Sequence, residues 1–257
     1  MVGELDGRIA IVTGAGRGIG FGIARRLSRA GATVVIAELN ARTGEPAAAL
    51  LKDEGFAAGF VETDVTRPDS VEALAQAVRR DYGRIDILVN NAGLAEIGPT
   101  ETFPLDLWQK QIDVMFNGVF FCMQAVGRVM LEQRRGVILN VSSIGGLGAW
   151  PMRSAYNSAK AAVISLTENI GTEWARRGVR VVAVAPGVTR TAILQQMVEE
   201  KIASLEQYNR RTPMGRVAEV DEIAAVVQFL VSDRASYVTA TTVTVDGGWT
   251  AWDNLPS

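Results

Sequence analysis

The sequence predicts a single-domain α/β fold, a doubly wound parallel sheet of about seven strands with helices on both faces. Three observations carry this. Short β-branched runs alternate with longer amphipathic runs from end to end, the pattern of repeated strand–helix–strand units. Runs such as Val179-Arg180-Val181-Val182-Ala183-Val184 are nearly continuous in apolar residues, which suits strands covered on both sides. No Pro- or Ser-rich linker, charge block or internal repeat divides the 257 residues, a length ordinary for one α/β domain.

In chain order, the strand runs are Ile9–Thr13, Thr33–Ala37, Gly59–Glu62, Ile85–Asn90, Val137–Ser142, Val179–Ala185 and Thr242–Val245. Between them, helical apolar spacing predicts helices near Ile19–Ala30, Ala41–Glu54, Asp69–Tyr82, Leu105–Gln133, Ala155–Arg176 and Val220–Val231. The stretch Thr189–Arg216 is irregular, with one short helical pattern at Ile193–Leu205. A long insertion at a strand's carboxyl end, before the last helix, is placed like an active-site lid.

Composition narrows the chemistry. Hydrophobic residues make up 48% and charged residues 21%, and the net charge is −2. That charge gives no electrostatic reason to expect nucleic acid or an anionic membrane as partner. Histidine is absent and Cys122 is the single cysteine, so a zinc site is not expected. Cys122 lies in an apolar stretch and reads as a buried thiol. The start carries no basic segment followed by an apolar one, and no apolar run approaches the ~20 residues of a membrane span. The expected location is the cytoplasm.

Without histidine, proton chemistry must use another group. Tyr156-Asn-Ser-Ala-Lys160 falls in a helical segment, so Tyr156 and Lys160 share one helix face. A cation near a phenol favours phenolate and should lower the Tyr156 pKa toward neutrality. Ser143 stands thirteen residues upstream of the tyrosine.

Thr13-Gly14-Ala15-Gly16-Arg17-Gly18-Ile19-Gly20 follows the first strand and opens the first helix. Glycines there let a pyrophosphate approach backbone N–H groups at a helix N-terminus. Glu38, ending the second strand, can accept both ribose hydroxyls of an adenosine and repel a 2′-phosphate. This favours NAD. Arg17 and Arg42 pull toward NADP, since either could pair with that phosphate, whereas Leu39 offers it nothing. Asp64 can bond an adenine amino group, or equally cap the helix that begins near Pro68. Asn90-Asn91-Ala92-Gly93 ends the fourth strand on the same sheet edge, as cofactor passage or as an ordinary turn.

Together these motifs resemble the short-chain dehydrogenase/reductase family, over essentially the whole length from Thr13-Gly14 to Val245-Asp246-Gly247-Gly248. The resemblance implies a seven-stranded Rossmann-like sheet, a nicotinamide cofactor, no catalytic metal and a homotetramer. It implies Tyr156 as acid/base, Lys160 as the residue that lowers its pKa and holds the nicotinamide ribose, and Ser143 as the group orienting the substrate oxygen. The thirteen-residue spacing selects Ser143 over Ser142. Gly14, Arg17, Gly18 and Ile19 would line the pyrophosphate turn, and Glu38, Asp64 and Val65 the adenosine end. Asn91, Ala92 and Gly93 would border the cofactor. Pro186, Gly187, the Thr189 backbone and the Thr191 side chain would lie at the carboxamide. One position departs: the family's asparagine 28 residues before the serine is Met115, within Asp113-Val114-Met115-Phe116-Asn117-Gly118. In the family that residue shapes a helix irregularity whose carbonyl holds a water serving the lysine.

The implied reaction is reversible hydride transfer to or from a small alcohol or ketone. Leu94–Ile97, Gly145–Met152 and Ile193–Tyr208 would set selectivity. Leu147, Trp150, Met152, Leu194 and Met197 make those edges apolar. Trp249 and Trp252 read as subunit contacts. The leading expectation is an NAD-dependent dehydrogenase of secondary alcohols or polyols. Its alternative is an NADPH-dependent 3-oxoacyl-thioester reductase that meets an acidic carrier through Lys201, Arg210 and Arg211. A third class is a dinucleotide-sensing protein without turnover.

Overall fold

The computed structural model describes residues 3–252. Seven strands form one parallel sheet in the order β3-β2-β1-β4-β5-β6-β9. They are β1 (Ile9–Thr13), β2 (Thr33–Glu38), β3 (Ala58–Glu62), β4 (Ile87–Asn90), β5 (Gly136–Val141), β6 (Val179–Pro186) and β9 (Thr241–Val245). A two-strand pairing of β7 (Thr189–Arg190) with β8 (Ala218–Glu219) stands apart. The helices are α1 (Gly18–Arg29), α2 (Ala41–Asp53), α3 (Pro68–Tyr82), α4 (Leu105–Ile112), α5 (Gly118–Gln133), α6 (Ser154–Trp174), α7 (Ala192–Glu199), α8 (Leu205–Arg211) and α9 (Val220–Val231).

Alternation along the strands divides the core into two layers. Ala10, Val12, Val34, Ile36, Val182 and Val184 face Ile23 and Leu27 of α1, Leu51 of α2 and Val227 of α9. Ile9, Ile11, Val35, Val179 and Val181 face Leu74 of α3, Met123 of α5 and Val163 of α6. The strand order reverses where β1 meets β4, and in such sheets ligands bind at the carboxyl ends beside that reversal.

Three expectations change. The fourth strand begins at Ile87, not Ile85, because Asp86 is buried and takes the Ile9 N–H at 2.9 Å, with Arg84 and Arg8 beside it. The lid carries two helices, α7 and α8, where one pattern was read. The long Leu105–Gln133 helix is interrupted at Asp113–Asn117 by a π turn. That same segment is also more apolar than expected. Its 18-residue window reaches a mean hydropathy of 1.5, long and apolar enough by composition to cross a membrane, yet over half of it is buried inside the protein.

Candidate active site

The carboxyl end of β5 meets the first turns of α6. Ser142 continues the ladder through its N–H to Val184, and its hydroxyl donates to the Lys160 carbonyl at 2.9 Å. This pins the helix to the strand and leaves Ser143 as the hydroxyl free to face a ligand. Ser143 caps the short turn Ile144–Gly146, its Oγ accepting the Gly145 N–H at 3.0 Å. Gly146 lets that turn lie against α6, since a Cβ there would stand 2.7 Å from the Lys160 carbonyl carbon. Ser143 thereby sits beside Tyr156, where its hydroxyl pulls the phenol's pKa down.

The electrostatics differ from the expectation. Lys160 is 5% exposed, and its Nζ donates to the Val141 carbonyl at 2.7 Å. Burial lowers its pKa to about 8. The ammonium lies 5.8 Å from the centroid of the Tyr156 ring. In the protein alone burial raises the Tyr156 pKa, while the Ser143 hydroxyl and the Arg153 charge pull it down. The expected depression by Lys160 is corrected here. The lysine is committed to a strand carbonyl, and desolvation of the phenol outweighs its neighbours.

The glycine turn shows whether a nicotinamide dinucleotide would fit. Gly14 and Gly18 both have φ +61°, and a Cβ on Gly14 would stand 2.7 Å from the Ala92 Cα. The turn therefore packs flush on Asn91-Ala92. Arg17, the residue before α1, makes no side-chain cap, and the first turn of α1 carries no acid. Its leading N–H groups, through Ile19, are open to an anion. Glu38, at the end of β2, accepts the Gly16 N–H at 3.1 Å, so its carboxylate borders the turn. These residues fit the group.

The neighbouring predicted residues divide into contacts and supports. The Asn91 side chain donates to the carbonyls of Thr13 and Gly14, both at 3.0 Å. It braces the turn rather than facing a ligand. Thr13, absent from the predicted site, does the same through its hydroxyl, which accepts the N–H groups of Asn91 and Ala92 at 3.0 Å each. Asp64 is no cap for α3, whose cap residue is Arg67; it closes its own turn on Thr66 N and Oγ1 at 2.9 and 2.7 Å. Val65 is buried against Gly118. Gly93 lies beside Met115, a Cβ on it standing 3.6 Å from Met115 Cγ.

At the other rim, Pro186 ends β6, and the Gly187 N–H continues onto Val245 at 2.9 Å. Thr189 is buried and donates to the Gly187 carbonyl. Thr191 caps α7 by accepting the Leu194 N–H at 3.2 Å, which leaves its own hydroxyl proton free to donate. Its Cγ2 would lie 4.0 Å from a Cβ on Gly18. The lid therefore starts directly over the glycine turn. A buried polar chain of Asn90, Asn140 and Thr167 ties β4, β5 and α6 beneath the site. Its signal in the sequence is an asparagine within each apolar strand.

Met115 is fully buried within the π turn. The irregularity therefore forms without the asparagine. One extra residue per turn leaves a carbonyl outside the helical ladder, as π turns at functional sites do.

Beside Ser143 lies a cavity of about 320 Å³ lined by Ile144, Leu147, Trp150, Arg211, Trp249 and Thr250 among others. Trp150 stacks on Trp249, their centroids 5.5 Å apart, and Tyr208 of α8 meets both edge-on or tilted. Trp249 thus packs against Trp150 and Tyr208 of its own chain. Leu147 and Trp150 line the cavity as expected, whereas Met152 is exposed and Leu194 is buried. The Gly98 N–H donates to the Met152 carbonyl, joining the Leu94–Ile97 segment to this rim. Cys122 is buried, which pushes its thiol up to about 12.

A family model described as Enoyl-(Acyl carrier protein) reductase matches residues 14–250. The D-threitol dehydrogenase of Mycolicibacterium smegmatis is 38% identical, over 96% of this chain and 94% of that protein. A gluconate 5-dehydrogenase from Burkholderia cenocepacia, in complex with NADP and tartrate, superposes with a TM-score of 0.92 at 38% identity, covering 96% of this chain and 97% of its own. An NAD+-bound xylitol dehydrogenase superposes with a TM-score of 0.90 at 31% identity, covering 95% and 99%.

Proposed function

The chain belongs to the short-chain dehydrogenase/reductase family, and from that premise we propose that it transfers a hydride between NAD(H) and a secondary alcohol or polyol, or the matching ketone. The observation that carries the reading is the clustering of Ser143 and Lys160 about Tyr156: Ser143 acts on the phenol's pKa and the Lys160 ammonium lies 5.8 Å from its ring. A bound nicotinamide supplies the hydride acceptor or donor. Gly14, Arg17, Gly18 and Ile19 would hold its pyrophosphate, and Glu38, Asp64 and Val65 its adenosine. Ala92 and Gly93 would border it, with Asn91 bracing the turn. Lys160 and Tyr156 would hold the nicotinamide ribose, and Pro186, Gly187, Thr189 and Thr191 the carboxamide.

Ser143 orients the substrate oxygen, and Tyr156 takes its proton during oxidation or returns it during reduction. Lys160 passes that proton toward solvent through a water held by the carbonyl freed at Asp113–Asn117. The stretch 189–216 closes over the bound molecules as a lid, within one catalytic domain.

Glu38 is what supports NAD. Its carboxylate already borders the turn, and a 2′-phosphate would set two anions side by side. The two related structures hold one cofactor each, NADP and NAD+, so the preference rests on this residue. The alternative of a carrier-protein thioester reductase loses support, because Arg211 lines the cavity instead of joining Lys201 and Arg210 on the surface.

Nicotinamide absorbance, followed with a panel of alcohols and ketones using NAD(H) and NADP(H) in parallel, tests the reading. Turnover of secondary alcohols with NAD is expected. A flat trace under every condition would overturn it and favour a sensor without turnover.

A further inference from the structure

Arg211 is the last residue of α8 and the one cationic side chain lining the cavity beside Ser143. Its guanidinium lies over Trp249 at 5.0 Å and Trp252 at 5.9 Å. Both rings lie against the cation but offer its N–H groups no acceptor. Nη1 is buried and has no hydrogen-bond partner among the described residues. Arg211 forms no salt bridge among them either.

A buried guanidinium nitrogen left without an acceptor is unusual, because such groups are costly to desolvate unpaired. Among the described residues of the tail, the acid Asp246 does not relieve it. Asp246 takes the N–H groups of Gly248 and Thr250 and the Thr250 hydroxyl, at 2.9, 2.8 and 2.7 Å. The tryptophans lie against the cation, and the Asp246 carboxylate is occupied elsewhere. Opposite Arg211 the walls are apolar: Ile144, Leu147 and Trp150. Ile144 directly follows Ser143, so the same cavity touches the segment that carries the reacting hydroxyl.

We propose that Arg211 is a substrate-binding residue for a carboxylate, and that the alcohol oxidised at Ser143 and Tyr156 is therefore a hydroxy acid with an apolar body. This rests on the dehydrogenase reading above and narrows its substrate class. A guanidinium edge matches the two oxygens of a carboxylate. A phosphate would want further donors, and the Thr250 hydroxyl is already given to Asp246. In the reaction the carbinol carbon gives up its hydride to the nicotinamide and its oxygen gives its proton to Tyr156. A C=O bond forms, and the carboxylate leaves unchanged.

Two measurements test this, one independent of turnover. Tryptophan fluorescence of the full chain reports the stack that holds Arg211, and can be titrated with cyclohexanecarboxylate and with its neutral amide. The carboxylate is expected to bind on the order of 30-fold more tightly, the value of a charge-assisted hydrogen bond. Arg211→Met, which keeps a long side chain between the rings, should remove the difference, and Arg211→Lys should keep part of it. In turnover, the ratio of kcat/KM for 3-hydroxybutyrate against its methyl ester should collapse in Arg211→Met. Equal affinity for acid and amide in the native chain would overturn the inference, as would tighter binding of inorganic phosphate than of the carboxylate. Turnover of neutral alcohols with no preference for acids sinks this inference alone. Absence of all turnover, with the carboxylate preference intact, sinks the dehydrogenase reading alone.

Discussion

The Ser143 hydroxyl stands beside the Tyr156 phenol and opposes the rise in pKa that burial imposes on it. Burial wins in the protein by itself, so the phenol stays protonated through neutral pH. Alcohol oxidation needs the deprotonated form, and carbonyl reduction the protonated one. Oxidation should therefore accelerate toward alkaline pH while reduction persists at neutral pH. Ser143→Ala should shift the inflection in the kcat/KM profile upward, as should Arg153→Met, because each removes an influence that lowers the pKa. A downward shift in either would contradict the assigned roles. Tyr156→Phe should abolish turnover and leave NADH binding nearly unchanged; substantial residual kcat would refute its role as acid/base.

Lys160 carries a linkage between function and stability. Its pKa falls from 10.5 to about 8 on folding, so the folded state disfavours the ammonium. The stability so affected is complete above about 10.5 and is lost as pH falls through about 8. At neutral pH the penalty is about 3 kcal/mol, offset by about 1 kcal/mol from the hydrogen bond to Val141. Lys160→Met should thus stabilise the cofactor-free protein by about 2 kcal/mol near neutrality. The gain should vanish above about pH 10.5 in denaturant titrations, and activity should be lost. A pH-independent change in stability would rule this out.

Met115 separates the shape of the π turn from the residue that usually accompanies it in this family. The turn is present, with methionine buried inside it. Met115→Asn should leave kcat within about threefold, under about 1 kcal/mol in barrier. It should lower stability by about 1–3 kcal/mol, by burying an amide that lacks partners. A large rise in kcat would show instead that methionine impairs the proton's route.

Glu38 should set the cofactor. NAD is expected to be favoured over NADP, and Glu38→Ser should narrow the kcat/KM ratio by at least about tenfold, or about 1.4 kcal/mol. It should also loosen the turn that Glu38 holds through Gly16, seen as a modest loss with NAD itself. An unchanged ratio would move the preference to Arg17 or Arg42.

Much of the site was legible because its signals are local. The i, i+4 spacing puts Tyr156 and Lys160 on one face whatever surrounds them. The glycine turn of Thr13 to Gly20 announces a close backbone approach by its residue types. Asn91 was legible as part of the site but not in its function, since its bonds run to carbonyls of β1 that only strand pairing brings near. The bracing by the Thr13 hydroxyl escaped notice for the same reason. The interruption at Asp113–Asn117 left no mark in the apolar periodicity, which runs on through it.

By itself the sequence determined the order of strands and helices along the chain, the two-layer burial and the placing of Tyr156 and Lys160 on one helix face. These follow from period-two and helical patterns and from short-range sterics. Only the tertiary structure decided where charge and polarity settle. Lys160 finds the Val141 carbonyl, burial lifts the Tyr156 phenol, and Trp249 stacks on Trp150 while Arg211 lies over its ring at the cavity wall. Desolvation and hydrogen-bond partnership depend on groups far apart in the chain, and no local pattern specifies them.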